Sequence, residues 1–471
     1  MTAPGAPLAP GQERLWTRQR SGPYGVYDRS VFAFRLHGEL RRQALVQAVQ
    51  RLVARHEPLR TTFGTVDGRP RQQVWPAGPV ELESAGAAPG RAADRAARVR
   101  EAGARIREAV TRPFDLASGP VLRTLLVRLA RSEHLLVLCT HRATADARSR
   151  DVVAAELCEL YAAAVDGRPD RLPALPVRYP DHAARLREQV TETGLAAQLD
   201  HWRERLAGLP APRPPGGGPA PGGPPGEGAR CALRVPAAVS GALERLARQH
   251  AGTLFDGLFT ACQVLCAQEA RQPDVALATV AGGRGGPGLD RLVGAFANPL
   301  VLRGTVRDGT PFARQLAQNA RTVAEALAHQ DVPFGRVADA WLPDRGAGPA
   351  PLPVTVALRE PPAPPADPPG LAVREFHPTC LPPESGLAVE FTRTGAGDLS
   401  GVLTYDTALY GAAAVRALAR RLEALLAAAA VRPDRPVGTL PGPAGAGGSA
   451  PTASGARRPA HPPRTLTACS P

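Results

Sequence analysis

Hydrophobic positions in the first part of the chain follow two periods. Val31 to Leu36 reads as a strand; Ala44, Leu45, Ala48, Val49, Leu52 and Val53 then recur at helical spacing, which predicts one apolar stripe on a helix. Val121 to Leu129 and Leu135 to Leu138 read as strands of a hairpin turning at 130–134. Val152 to Tyr161 is helical again, and an arginine-rich helical stretch from Asp181 to Leu206 connects to a second half. There, Ala237 to His250, Leu254 to Glu269, Pro311 to His329 and Ala412 to Ala430 read as helices. Val275 to Ala281, Val354 to Leu358, Leu387 to Thr392 and Ser400 to Thr404 read as strands. Two α/β halves of similar content predict a pseudo-duplicated protein with a cleft between its lobes.

Composition changes this picture at three places. Of 51 prolines and 48 glycines, many fall in 208–229, in 360–370 and in 441–471. The first stretch is expected to be a disordered loop and the last a disordered tail, because neither can bury enough apolar surface to offset ordering. No run of about 18 apolar residues predicts a membrane span. The N-terminus lacks the pattern of a signal peptide, so a cytoplasmic protein is expected. Seven cysteines without CxxC spacing fit a reducing compartment, with Cys262 and Cys266 as core residues one helical turn apart.

The formal charge of +14 ordinarily points to nucleic acid or an anionic membrane. Here all 57 basic residues are arginine, which is what G+C-rich coding produces; they are scattered, and aromatic residues for base stacking are few. Neither nucleic acid nor membrane is expected as a partner. Without lysine there is no Walker loop, and GxSxG and HExxH are absent. The glycine-rich stretch 281–288 is read as a tight loop, since Pro287 interrupts any helix that could present its N-terminus to phosphate.

The segment from Cys139 to Ser149, Cys-Thr-His-Arg-Ala-Thr-Ala-Asp-Ala-Arg-Ser, leaves a buried strand and enters a helix. By chemistry alone, His141 is a candidate general base with Asp146 as its orienter. Equally, His141 can be a hydrogen-bonded core histidine and Asp146 a helix cap.

This segment resembles HHxxxDG, the signature of nonribosomal-peptide-synthetase condensation domains and related carrier-dependent acyltransferases. The likeness extends to Leu8–Trp16 (LAPGQERLW), Arg55–Phe63 (RHEPLRTTF), Arg112–Pro120, Tyr179–Ala183 (YPDHA), Val293–Leu300 and His329–Phe334, in the family's order and from about Leu8 to Leu440. It implies an α/β protein of two chloramphenicol-acetyltransferase-like lobes, 1–180 and 181–440, arranged in a V around a central tunnel with the signature at the seam. It also implies peptidyl or acyl carrier proteins as partners, substrates borne on their phosphopantetheine, and no intrinsic cofactor or metal.

The signature departs from the family at two positions. A gapless register keeping Asp146, Ser149, Glu156 and Tyr161 in place puts the first histidine at His141, the second at Arg142 and the glycine at Ala147. A one-residue slip would instead put Ala145 at the aspartate, so the gapless register is preferred. The family credits proton handling or amine positioning to its second histidine, whereas an arginine near neutral pH only donates hydrogen bonds. Ala147 is expected to be strained if the site needs positive φ. The form HRxxxD is similar to the X-type domains of glycopeptide synthetases, which recruit cytochrome P450 enzymes and do not condense. Asp146 in the family is structural, so Asp146 and Arg284 are expected to form a bridge between lobes. His56 and His329 are read as core or lobe-contact residues, and His182 has no evident chemistry. The expected function is therefore a condensation-domain protein of nonribosomal peptide biosynthesis with amide formation atypical or impaired. The alternatives are a non-catalytic docking module, for a P450 or another tailoring enzyme, and a freestanding acyltransferase using a soluble acceptor.

Overall fold

A computed structural model describes residues 5–20, 27–86, 95–189, 192–209, 214–215, 226–342, 352, 354–360, 365–378, 381–395 and 397–441. Most of the proline-rich stretch at 208–229, the tail beyond 441, Cys380 and Cys469 lie outside the described residues. The first half runs β1 (Ala6–Pro7), α1 (Pro10–Arg20), β2 (Arg29–Gly38), α2 (Arg42–Arg55), β3 (Thr61–Val66) and β4 (Arg69–Val74). It continues through β5 (Leu82–Gly86), α3 (Arg95–Thr111), β6 (Leu122–Ala130), β7 (Glu133–His141) and α4 (Ser149–Asp166). After α5 (Tyr179–Gln189) and α6 (Glu192–Leu206) come β8 (Gly228–Val235), α7 (Ala237–Gln249), α8 (Leu254–Ala270), β9 (Asp274–Ala281) and β10 (Asn298–Thr305). The chain closes with α9 (Phe312–Ala328), α10 (Phe334–Trp341), β11 (Thr355–Arg359), β12 (Leu371–Phe376), β13 (Leu387–Arg393), β14 (Leu399–Asp406) and α11 (Ala412–Val431).

The first sheet has the order β12-β2-β7-β6-β5. Its central strand β7 is apolar on both faces because helices cover both. The α2 stripe Ala44, Leu45, Ala48, Val49, Leu52 and Val53 packs with α4 on one side. Ile106 and Val110 of α3 pack on the other, with Leu15 and Phe63. The hairpin expected between 121 and 138 is the β6–β7 pair, in register from Leu122 opposite Thr140. Strand β12 escaped the sequence reading: it lies in the second half of the chain yet pairs antiparallel with β2. Its segment, Leu371 to Phe376, is short, mostly half-exposed and follows a proline-rich break, so it carries little periodic signal.

The second sheet has the order β10-β9-β11-β13-β14-β8, with β11 parallel to β13 and the other long pairs antiparallel. One face packs on α7, α8, α9 and α11 in the largest core of the molecule. Helix α8 is buried nearly all round, so it shows no polar stripe; a capping box from Thr253 and Asp256 fixes its start. Cys262 and Cys266 lie in this core as free thiols, and burial pushes Cys266 up to about 12. The connector splits into α5 and α6. Among the described residues no helix is long and apolar enough to cross a membrane.

Candidate functional site

Strand β7 ends at His141, opposite Arg29 of β2, and the chain turns through 142–148 before entering α4. The turn is tied down at nearly every residue. Arg142 N–H donates to the Asp28 carbonyl at 2.7 Å, and Gln12 of α1 donates through Nε2 to the Ala143 carbonyl at 3.0 Å. Thr144 returns to the His141 carbonyl through both N–H and Oγ1, and Ser30 Oγ donates to the Ala145 carbonyl at 2.6 Å. The glutamine of the first sequence block, Gln12, is fully buried, and its amide ties α1 to the signature turn. Ala147 is exposed and does not adopt positive φ, so the strain considered there does not arise.

His141 is only 1% exposed. Its Nδ1 accepts the Ala143 N–H at 3.1 Å, which assigns the proton of the neutral ring to Nε2. Among the described residues Nε2 has no hydrogen-bond partner, and the edge of Phe114 packs against the ring. Burial, reinforced by the charges of Arg18, Arg142 and Arg29, pushes the imidazole down to about 3. The ring is therefore neutral, with one nitrogen protonated and the lone pair of the other engaged. Such a group cannot collect a proton from an attacking amine without breaking its own contact.

Arg142 stands beside it with a side chain 30% exposed, and its Nη1 lies 3.1 Å from Oε2 of Glu384. Glu384 precedes β13 and also binds Arg14 and Arg18 of α1, while Arg18 reaches Asp28 through Nε at 3.0 Å. Burial alone would raise the Glu384 carboxyl; the guanidinium groups of Arg18, Arg14 and Arg142 outweigh it and hold it well below the usual carboxylate range. Arg18 is pushed down to about 10, chiefly by burial, with Glu384 opposing. The signature cation is thus one of three arginines sharing a single buried carboxylate. Its remaining N–H groups can donate to a carbonyl or carboxylate oxygen, but cannot act as a base.

Asp146 and Arg284 meet. Arg284 Nη2 lies 2.8 Å from Asp146 Oδ1, both side chains below 10% exposure, with Arg284 reaching over from the loop between β9 and β10. Asp146 Oδ1 also accepts the Ser149 N–H at 2.9 Å, and Oδ2 accepts the Phe296 N–H at 3.2 Å, so the carboxylate caps α4 and crosses to the second half at once. These contacts, not the His141 ring, occupy Asp146. Arg284 Nη1 donates to the Leu289 and Leu292 carbonyls, and its guanidinium lies 4.0 Å over Phe296. Close by, His56 Nε2 lies 2.7 Å from Glu156, which Arg55 also binds, and Val293 N–H donates to His56 Nδ1 at 3.4 Å. The Arg-His pair of the RHE block is therefore a lobe contact built around Glu156. His182 packs at a tilt against Tyr179 and Phe296, and His329 stacks on His201.

The loop carrying Arg284 depends on Gly283, which has φ +62°; a Cβ there would lie 2.2 Å from the Phe296 carbonyl oxygen. We expect Gly283→Ala to cost about 2–3 kcal/mol, measured by urea unfolding, because strained backbone and a backbone collision add.

The sequence reading found His141, Arg142, Asp146 and Arg284. It missed Glu384, Arg18, Asp28 and Gln12. Gln12 and Arg14 fell inside a recognised block, but Glu384 lies 242 residues from Arg142 in a proline-flanked turn without periodicity. Two cavities flank this region without touching His141 or Arg142. One, of about 230 Å³, lies between Pro10, His182, Phe296 and Asp331; the other, of about 860 Å³, lies on the first half beside Trp75 and Arg123. Among the described residues no group of three or more metal-ligating side chains occurs.

The profile described as Condensation domain matches residues 4–357. Isonitrile lipopeptide synthase of Mycobacterium tuberculosis (strain ATCC 25618 / H37Rv) is 36% identical over 459 residues, covering 92% of this chain and 18% of that synthase. The chain thus spans under a fifth of that relative's length. The X-domain from teicoplanin biosynthesis is similar in fold, with TM-score 0.77, 24% identity, and coverage of 93% of this chain and 98% of that one. The X-domain in a complex with OxyB from teicoplanin biosynthesis gives TM-score 0.75 and 26% identity, over 93% and 95% of the two chains. Profile and relative agree: this chain belongs to the condensation-domain family.

Proposed function

We propose that the protein binds acyl or aminoacyl thioesters carried on the phosphopantetheine of carrier proteins in nonribosomal peptide biosynthesis, with amide formation impaired. The observation that carries this reading is the signature turn itself. His141 is sealed with its Nδ1 lone pair engaged, and Arg142 is a cation tied to Glu384. Neither residue takes a proton. What remains is a donor at the seam that can hold a thioester or amide oxygen, together with positioning of two reactants. Under this reading the domain needs no cofactor of its own and works in the cytoplasm beside carrier-bearing synthetases.

The test loads donor and acceptor carriers with candidate substrates and follows amide product by mass spectrometry. Wild type is expected to bind loaded carriers yet give product near background. Arg142→His should raise product by about 10²-fold or more, the usual worth of a positioned base. Product from wild type that vanishes in His141→Ala would overturn the reading.

A second reading, recruitment of a tailoring enzyme such as a cytochrome P450 to a carrier-bound peptide, draws on the likeness to the X-domain that was solved with OxyB. It predicts a soluble complex with such an enzyme whose affinity does not change in His141→Ala.

A further inference from the structure

The face of the second sheet opposite its core carries a set of charges that the signature chemistry does not use. On β13, Leu387, Val389 and Phe391 enter the core, so Glu390 points the other way; on β8, Leu233 and Val235 enter the core and Arg230 points the other way. That face meets the first half. Arg150 of α4 lies 2.7 Å from Glu375 of β12, and Arg359 of β11 binds both Glu375, at 3.0 Å, and Asp151 of α4. His377 Nε2 approaches Glu375 at 3.3 Å. Arg150, Arg359, Asp151 and Glu375 thus balance one another and tie the halves together.

Arg230 and Glu390 are left over. Both are half-buried, and Arg230 lies in the field of Glu390, Arg150 and Glu375. Yet among the described residues neither side chain makes a hydrogen bond or ion pair. The strands set them diagonally. Arg230 is opposite Thr404, which is opposite Ala388; Glu390 is opposite Val402, with Ala357 beyond it. The floor between them is therefore made of small side chains. A guanidinium and a carboxylate set diagonally over a small-residue floor, partly out of water and neither in a direct hydrogen bond or ion pair, are each open to a closer counter-charge from a ligand.

We propose that Arg230 and Glu390 form a subsite for an acidic aminoacyl group, with Arg230 taking the side-chain carboxylate and Glu390 the free α-ammonium. This rests on the thioester-binding reading and deepens it by naming the class of residue carried. One ligand then gives both groups a direct partner, and the site stays neutral with it bound.

The test uses the full chain and calorimetric titration with non-hydrolysable pantetheine amides of aspartate, asparagine, leucine and N-acetyl-aspartate, with bare pantetheine as reference. Wild type should bind the aspartyl amide at least about tenfold tighter than the asparaginyl and N-acetyl-aspartyl amides. Arg230→Gln should erase the aspartyl-over-asparaginyl preference and leave leucyl binding and the melting temperature unchanged, since it breaks no ion pair. Glu390→Gln should erase the preference for the free amine over the N-acetyl form. Equal wild-type affinity for all four amides, with pantetheine binding retained, overturns this inference alone. Failure of every compound, bare pantetheine included, overturns it together with the thioester reading.

Discussion

Replacing Glu384 by glutamine is expected to destabilise the protein by about 3–5 kcal/mol, the usual result of removing one partner from a buried charge cluster. Arg14, Arg18 and Arg142 then face one another with Asp28, bound to Arg18, as their counter-charge. Unfolding in urea at pH 7 measures the loss, and a change below about 1 kcal/mol would show that the arginines find solvent instead. The same residue shapes acid stability. Its folded-state carboxyl lies below the unfolded value near 4.5, so it stabilises fully above that pH and progressively less as pH falls through it. His141 acts earlier: between about 6.5 and about 3 the unfolded chain binds a proton that the folded chain refuses, so stability falls with pH over that window. Wild type should show both acid limbs. Glu384→Gln should shrink the lower one, to which Glu375 and Asp367, also held below the usual carboxylate range, contribute as well, and keep the upper.

Arg284→Ala should cost about 3 kcal/mol or more, because it strands the Asp146 carboxylate at the seam and releases the Leu289 and Leu292 carbonyls together. The conservative Arg284→Lys should recover less than half, since an ammonium cannot reach these three oxygens in the planar fork that the contacts use. A double-mutant cycle with Asp146→Asn separates the bridge from the loop contacts. A coupling energy near zero, with an unchanged melting temperature for Arg284→Ala, would mean that the halves are held by other contacts.

Glu384 gives the Arg142 substitution a structural consequence. A permanent cation at the signature is accommodated because a carboxylate already serving α1 can accept it too. Restoring histidine at 142 removes one of three cations from that carboxylate, so the product assay should be read beside a melting curve. If Arg142→His is folded and still makes no product, the sealed geometry of His141 is the remaining obstacle.

Much of the fold was legible because amphipathic periodicity survives in a single sequence. The α2 stripe appears residue for residue among the buried positions, and the β6–β7 hairpin and the helix after the signature fall where the pattern put them. Among the elements that escaped, β3, β4, β5 and β12 are short and partly exposed and α3 is arginine-rich; α1, β8, β10 and α10 were not read either. Their place comes from pairing partners far away in the chain, which local pattern does not encode.

The sequence by itself determined the family, the two-period alternation and the chemical identity of the signature: a histidine followed by an arginine, with an aspartate four residues on. Those depend on side-chain type and local spacing. Only the tertiary structure decided what each side chain can do. It buried His141 against Phe114 and engaged its Nδ1, brought Glu384 across 242 residues to Arg142, and left Arg230 and Glu390 without partners. A proton-transfer role depends on burial, tautomer and neighbouring charge, and those are properties of contacts made after the chain has folded.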